Sequence, residues 1–312
     1  MDIGAHLPLM QFDDEALSLP RLIAAVDAAR ECGLAAVSAN DHFLFATPWL
    51  DGPTALASVI ERSGDLALAT TVSLPVLRGP VALAKTLAAL DLLSDGRLIA
   101  ALGPGSSQRD YDAVGIAFDE RWPRFDEAVV TLRSLLNGGA RPGDARYYAS
   151  TSSVELAPPP RQAAGVPLWI GSWGSPAGIR RVARAADGWL ASAYNTTPEQ
   201  FCEVRRRLAS ELERRGRRAD AFPNAVATMW TWVTSDRRER DRVLGQVLAP
   251  LLGRDPAELG RQVCVGPAEH CAELLSGYAA AGCGRVYLWP LGDERRQIEL
   301  VATEVVPRIE PG

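Results

Sequence analysis

Few residues in this chain of 312 can do proton chemistry near neutral pH. It has three histidines, His6, His42 and His270, and a single lysine, Lys85, among 33 basic residues. His42 stands in "SANDHFLF", beside Asp41 and just past a run of small residues. An imidazole titrates near neutrality and suits proton transfer, and the Asp41 carboxylate would raise its proton affinity if the two side chains met. His6 closes the first apolar run and is the competing histidine. A Schiff-base mechanism would have to use Lys85, which falls in an expected helix. Three scattered histidines and no C-x-x-C make a metal centre unexpected. Two glycine-bearing stretches complete the set. "LGPGSS" carries Gly103 and Gly105, whose missing side chains admit a ligand close to the backbone; with Gln108 in the third position it is no dinucleotide fingerprint. "GSWGSP", residues 171–176, runs from a strand into a helix. Exposed amides there, with Ser172 and Ser175 hydroxyls, suit an anion, while Ser175 also reads as an ordinary helix cap.

Alternating strands and helices must position these residues. Strands are expected over 3–7, 35–39, 66–72, 97–102, 168–170, 188–192, 225–233 and 285–289, with amphipathic helices between them. Gly33 and Asp95-Gly96 close helices, and Thr196-Thr197 precede Pro198 as a cap. Eight such units predict a (β/α)8 TIM barrel, residues 1–312 forming one domain, with insertions after strands 4 and 7 (103–122 and 237–263) and a hairpin over 146–156. Chemistry in such barrels sits at the C-terminal ends of the strands, where His42 falls. Trp173, Trp230, Trp232 and Trp289 also lie near strand ends; they read as core or as the walls of a flat pocket.

Composition narrows the function. A formal charge of −5 without a basic run argues against nucleic acid. No apolar stretch approaches a membrane span, and "MDIGAHLPL" lacks a leader's pattern, so a cytoplasmic protein is expected. Five cysteines, an odd number, read as free thiols.

Taken together, "IGAHLP", "ECGLAAVSANDHF", "PWLDGPTAL", the segment from "ATTVSLPVLRGP" to "AALGPG", "ERWPRFDEA" and "GSWGS…ARAADGW" resemble the bacterial luciferase-like family of flavin- and deazaflavin-dependent oxidoreductases. Their order is similar to that of the branch using the deazaflavin coenzyme F420. The resemblance implies hydride transfer with a small organic substrate, Asp41 at the cofactor ring edge and His42 moving protons. It implies a cis peptide at Thr71-Val72 against the ring, with Gly103, Gly105 and Ser106 lining ring and side chain. Gly174, Ser175 and Ala177 would hold the phosphate, and Arg109, Arg180 and Arg181 are candidates for the cofactor's acidic tail. Several deazaflavin enzymes carry a Glu directly after the strand-four glycines; here Pro104 intervenes and Ser106-Ser107 follow, so that proton donor is absent or comes from elsewhere. An FMN-dependent monooxygenase fed by a separate reductase, and a non-catalytic flavin-binding protein, are the alternatives. A homodimer is implied as well.

Overall fold

The computed structural model describes residues 1–12, 15–45, 47–138, 145–148 and 155–310. Nine strands form one parallel sheet: β1 (Asp2–His6), β2 (Ala36–Ala39), β3 (Ala67–Ser73), β4 (Leu98–Leu102), β5 (Leu168–Gly171), β6 (Gly188–Ser192), β7 (Asn224–Val233), β8 (Cys264–Gly266) and β9 (Arg285–Pro290). Pairing runs from β6 through β5, β4, β3, β2, β1 and β9 to β7, and β6 pairs with β7 to close eight strands into a TIM barrel. β8 is the ninth, paired only with the end of β7.

Two layers of core account for the closure. Leucines, valines and isoleucines of the outward strand faces pack under the helices. Inside the barrel, small residues (Ala36, Ala69, Ala101, Ala225 and Ala227) surround Trp169 and Tyr287. Each large ring lies over a glycine. A Cβ on Gly188 would come within 2.4 Å of Trp169, and one on Gly4 within 2.9 Å of Tyr287. The barrel is therefore plugged by side chains below its open C-terminal end.

The helix ends follow the local signals. Gly33 has φ 68° just after helix Leu19–Glu31, and Asp95 and Gly96 leave helix Pro80–Leu93 with φ 56° and 81°. Thr197 forms a capping box with Gln200 at helix Pro198–Glu213. Lys85 lies on helix Pro80–Leu93, bonded to the Ala157 carbonyl and away from the strand ends.

Both insertions are present. The segment after β4 holds the short helix Gln108–Ala113, a 3₁₀ turn at Phe118–Glu120 and helix Arg121–Asn137. The segment after β7 holds helix Arg237–Arg242, a π-helical stretch Val243–Leu248, and helices Ala249–Leu252 and Pro256–Gln262 before β8. Most of the hairpin expected over 146–156 lies outside the described residues. Of the rest, the amides of Arg146, Tyr147 and Tyr148 donate to the Glu127 carboxylate and form no strand. All five cysteines are free. Among the described residues no helix is long and apolar enough to cross a membrane.

Candidate active site

A cavity of about 490 Å³ opens at the C-terminal ends of β2 to β7, a size that suits a small-molecule ligand. Asp41 and His42 line it from the loop after β2, Thr71 and Val72 from β3, and Gly103, Gly105 and Ser106 from the loop after β4. The Thr71–Val72 peptide is cis, as the resemblance implied. Gly103 admits no side chain, since a Cβ there would lie 2.7 Å from Val72 Cγ2. Gly105 holds φ 84°, open to glycine and strained for other residues. Asn40 Oδ1 and Thr71 Oγ1 are buried in this region with no partner among the described residues.

Asp41 and His42 do not meet. The Asp41 carboxylate is buried and takes two hydrogen bonds from Arg78, Nε at 2.6 Å and Nη2 at 2.7 Å; Arg78 also binds Asp51. Burial disfavours the Arg78 charge, but the two carboxylates outweigh it and hold the guanidinium firmly protonated. The carboxylate that His42 meets belongs to Asp110, whose Oδ2 lies 2.8 Å from His42 Nδ1. Adjacent side chains of a loop leaving a strand diverge, so the two neighbours serve different partners.

Asp110 sits in the first turn of helix Gln108–Ala113, which Ser107 caps by accepting the Asp110 amide at 3.2 Å. It is 1% exposed. Its Oδ1 accepts from the amides of Leu44 at 2.7 Å and Phe43 at 3.3 Å. Burial pushes its carboxyl up, yet the His42 ring and these amides overcome that and hold it below the usual range. An ionised Asp110 accepts, so His42 Nδ1 donates to it and Nε2 is the ring nitrogen left to exchange a proton. The rings of Phe45 and Trp49 pack on His42 at 4.8 and 4.6 Å. Sequence reasoning missed Asp110; the signal was Ser107 followed three residues later by an acid, directly after the glycine loop.

His6 is buried and satisfied at both nitrogens: Nδ1 donates to the Leu7 carbonyl at 2.7 Å and Nε2 accepts from the Asn40 amide at 3.1 Å. Its ring stacks on Trp289 at 3.6 Å, and burial lowers its pKa to about 3. It is a neutral structural group. The tryptophans do not wall a single pocket. Trp173 is 63% exposed beside the cavity, Trp230 and Trp289 stack in the core, and Trp232 lines a separate cavity.

A family model described as luciferase-like monooxygenase matches residues 4–253. The chain belongs to that family. It is 24% identical over 313 residues to the F420-dependent glucose-6-phosphate dehydrogenase of Nocardia farcinica, covering 90% of this chain and 91% of the relative. Among solved structures it is similar to an F420-dependent secondary alcohol dehydrogenase in complex with an F420-acetone adduct (TM-score 0.84, 18% identity, 99% of both chains). It is likewise similar to a monooxygenase from Streptomyces bottropensis (TM-score 0.83, 22% identity, 99% of this chain and 100% of that one). At these identities the structural likeness speaks for the fold.

In this luciferase-like chain the far end of the cavity reaches helix Pro176–Ala185. Ser172, Ser175 and Gly178 line it there, and Ser175 Oγ caps the helix by accepting the Gly178 amide at 3.1 Å. Gly174 and Ala177 stand outside the lining. Gly174 is buried with φ 89° and donates its amide to Ser172 Oγ at 3.3 Å, and Ala177 is exposed on the first helical turn. Of the arginines singled out for an acidic tail, Arg181 is bound to Asp126 at 2.6 Å, while Arg109 and Arg180 are exposed away from the lining. The arginine that does line the cavity is Arg121, whose guanidinium lies 3.9 Å over the Phe118 ring.

Proposed function

We propose that the protein is an F420-dependent oxidoreductase of the luciferase-like class, with residues 1–312 acting as one catalytic domain on a small organic substrate. The observation that carries this reading is His42, held by buried Asp110 at the edge of a glycine-floored cavity. The dehydrogenase relative supports the choice of cofactor.

The residues present fit such a group. Val72 and Gly103 give a side-chain-poor surface for a flat ring, and unpartnered Asn40 Oδ1 and Thr71 Oγ1 are available to its polar edge. Ser175 and the start of helix Pro176–Ala185 would take the phosphate, and Arg121 the acidic tail beyond it. Bound there, the deazaflavin supplies hydride transfer. His42 Nε2 takes the proton from a substrate hydroxyl as the carbon is oxidised, or returns it in reduction. Asp110 fixes the tautomer that makes this possible and stabilises the imidazolium that forms. Asp41, clamped by Arg78, is a carboxylate held rigidly behind this edge.

One observation favours a second reading, an FMN-dependent monooxygenase. Among the described lining residues the only carboxylic acid is Asp41, which is committed to Arg78, and Ser106 follows the glycines. Titrating the purified protein with oxidised and reduced deazaflavin and with FMN separates the two. Deazaflavin binding, followed by hydride exchange with secondary alcohols or ketones, is the expected result. Tight FMN binding with no deazaflavin binding would overturn it.

A further inference from the structure

The surroundings of His42 bear on the substrate. A chain of rings leads from it: Trp49 at 4.6 Å, then Trp289 at 5.6 Å from Trp49, Trp230 stacked on Trp289 at 4.2 Å, and Phe12 edge-on to Trp230 at 5.5 Å. Trp289 and Trp230 are buried and form the backing, while Trp49 is half-buried beside His42. At the far end lies a second cavity of about 660 Å³, lined by Phe12, Pro48, Trp232, Val243 and Leu291. Pro48 joins it to Trp49 and hence to His42. Its charged lining residues, Arg242 and Asp293, are of opposite sign and exposed.

The wall is apolar but its donors are unspent. The indole Nε1 atoms of Trp49, beside His42, and of Trp232, on the second cavity, have no hydrogen-bond acceptor among the described residues; those of Trp230 and Trp289 are equally unpartnered but lie in the core behind the wall. An indole N–H can only donate, and a buried donor without an acceptor is costly. Such a surface favours rings that bring acceptor oxygens. It offers a dianion no net positive charge, since Arg242 is matched by Asp293 in the second cavity and Arg121, the arginine of the first, is assigned to the cofactor's tail.

We infer that the substrate is an uncharged, flat, multi-ring ketone or alcohol. Its reacting oxygen meets His42, and its ring body lies against Trp49 and reaches toward Trp232 and the second cavity. On this inference a sugar phosphate is the weaker ligand. This inference rests on the reading of His42 as the proton-handling group of the redox site.

The test is calorimetric titration of the purified protein with 2-acetylnaphthalene, with 2-ethylnaphthalene (the same rings without the oxygen) and with glucose 6-phosphate. The ketone is expected to bind roughly 10-fold more tightly than either comparator. Trp232→Phe and Trp49→Phe keep an aromatic ring and delete the N–H; at least one should bring ketone and hydrocarbon to within about 2-fold. Equal binding of ketone and hydrocarbon by the unaltered protein, or tighter binding of glucose 6-phosphate, overturns the inference and needs no variant to fold. A parallel deazaflavin titration separates the two readings. Cofactor binding without ketone preference sinks the substrate class alone, whereas ketone preference without cofactor binding sinks the redox reading and leaves the ligand class standing.

Discussion

Asp110→Asn tests the proton machinery at a single atom. Asp110 Oδ1 accepts from the Leu44 and Phe43 amides and Oδ2 faces His42 Nδ1. Asparagine has one oxygen. The two amides claim it, so the NH₂ group turns toward His42, where a donor already stands. Two donors cannot bond, and the imidazole resolves the conflict by moving its proton to Nε2. The nitrogen facing the substrate then carries a hydrogen and cannot act as a base. The loss of a charge-assisted bond should cost about 1.5–3 kcal/mol of stability. Turnover should fall about 10²- to 10⁴-fold, the scale of a lost general base, with deazaflavin affinity unchanged within about 3-fold. ¹⁵N NMR of the imidazoles reads the tautomer directly, and with three histidines in the chain the signals are assignable. An Asp110→Asn protein that folds and shows His42 still protonated at Nδ1, or that turns over within about 3-fold of the original, would refute the reasoning.

Other perturbations probe the rest of the site. Arg78→Ala strands the Asp41 carboxylate, whose side chain is 1% exposed, and should cost about 3–5 kcal/mol in urea unfolding. Adding Asp41→Asn should recover part of that loss, and strictly additive losses would contradict the pairing. Ser175→Asp keeps a residue that caps helices well but places a negative charge where the phosphate is proposed. Its deazaflavin affinity should drop at least roughly 10-fold with Tm unchanged, and unaltered affinity removes the phosphate assignment. His6, neutral in the fold with a pKa of about 3 and free to protonate once unfolded, makes the unfolded chain bind more protons between about pH 6.5 and 3. Stability should therefore decline as pH falls through that window, by up to about 1.4 kcal/mol per unit. In His6→Phe the decline between about pH 6 and pH 4 should be shallower, and parallel curves for the two proteins would exclude His6 as its source.

What could be read from the sequence was what short-range chemistry specifies. Gly33 and Thr197 marked helix ends because a left-handed residue and a capping hydroxyl act within a turn. His42 was legible from its type and its place past a strand. Its partner was not, because Asp110 lies 68 positions away and adjacency pointed to Asp41, which turns instead to Arg78, 37 positions on. β8 went unseen because three residues carry no periodicity. Their place near strand ends grouped Trp230 and Trp232 with the other tryptophans, but it did not reveal the left-handed Thr228 (φ 58°) where the register of β7 against β9 shifts just before them. The tryptophans consequently divide between core and two cavities.

The chain leaves β7 at Val233 and returns beside it at Cys264–Gly266, where the Thr234 amide donates to the Gly266 carbonyl at 2.9 Å. Exit and re-entry are thus hydrogen-bonded neighbours, and the pairings of β7 with β6 and β9 that complete the barrel are made by residues before the excursion. The excursion packs Val243, Leu244, Leu248 and Leu259 into the main core. Its length can double at a loop-closure cost of only about 0.6 kcal/mol. It supplies Val243 and Val247 to the second cavity and nothing to the lining of the first. Exchange of this one segment would therefore rebuild one wall of the second cavity while leaving every lining residue of the first in place.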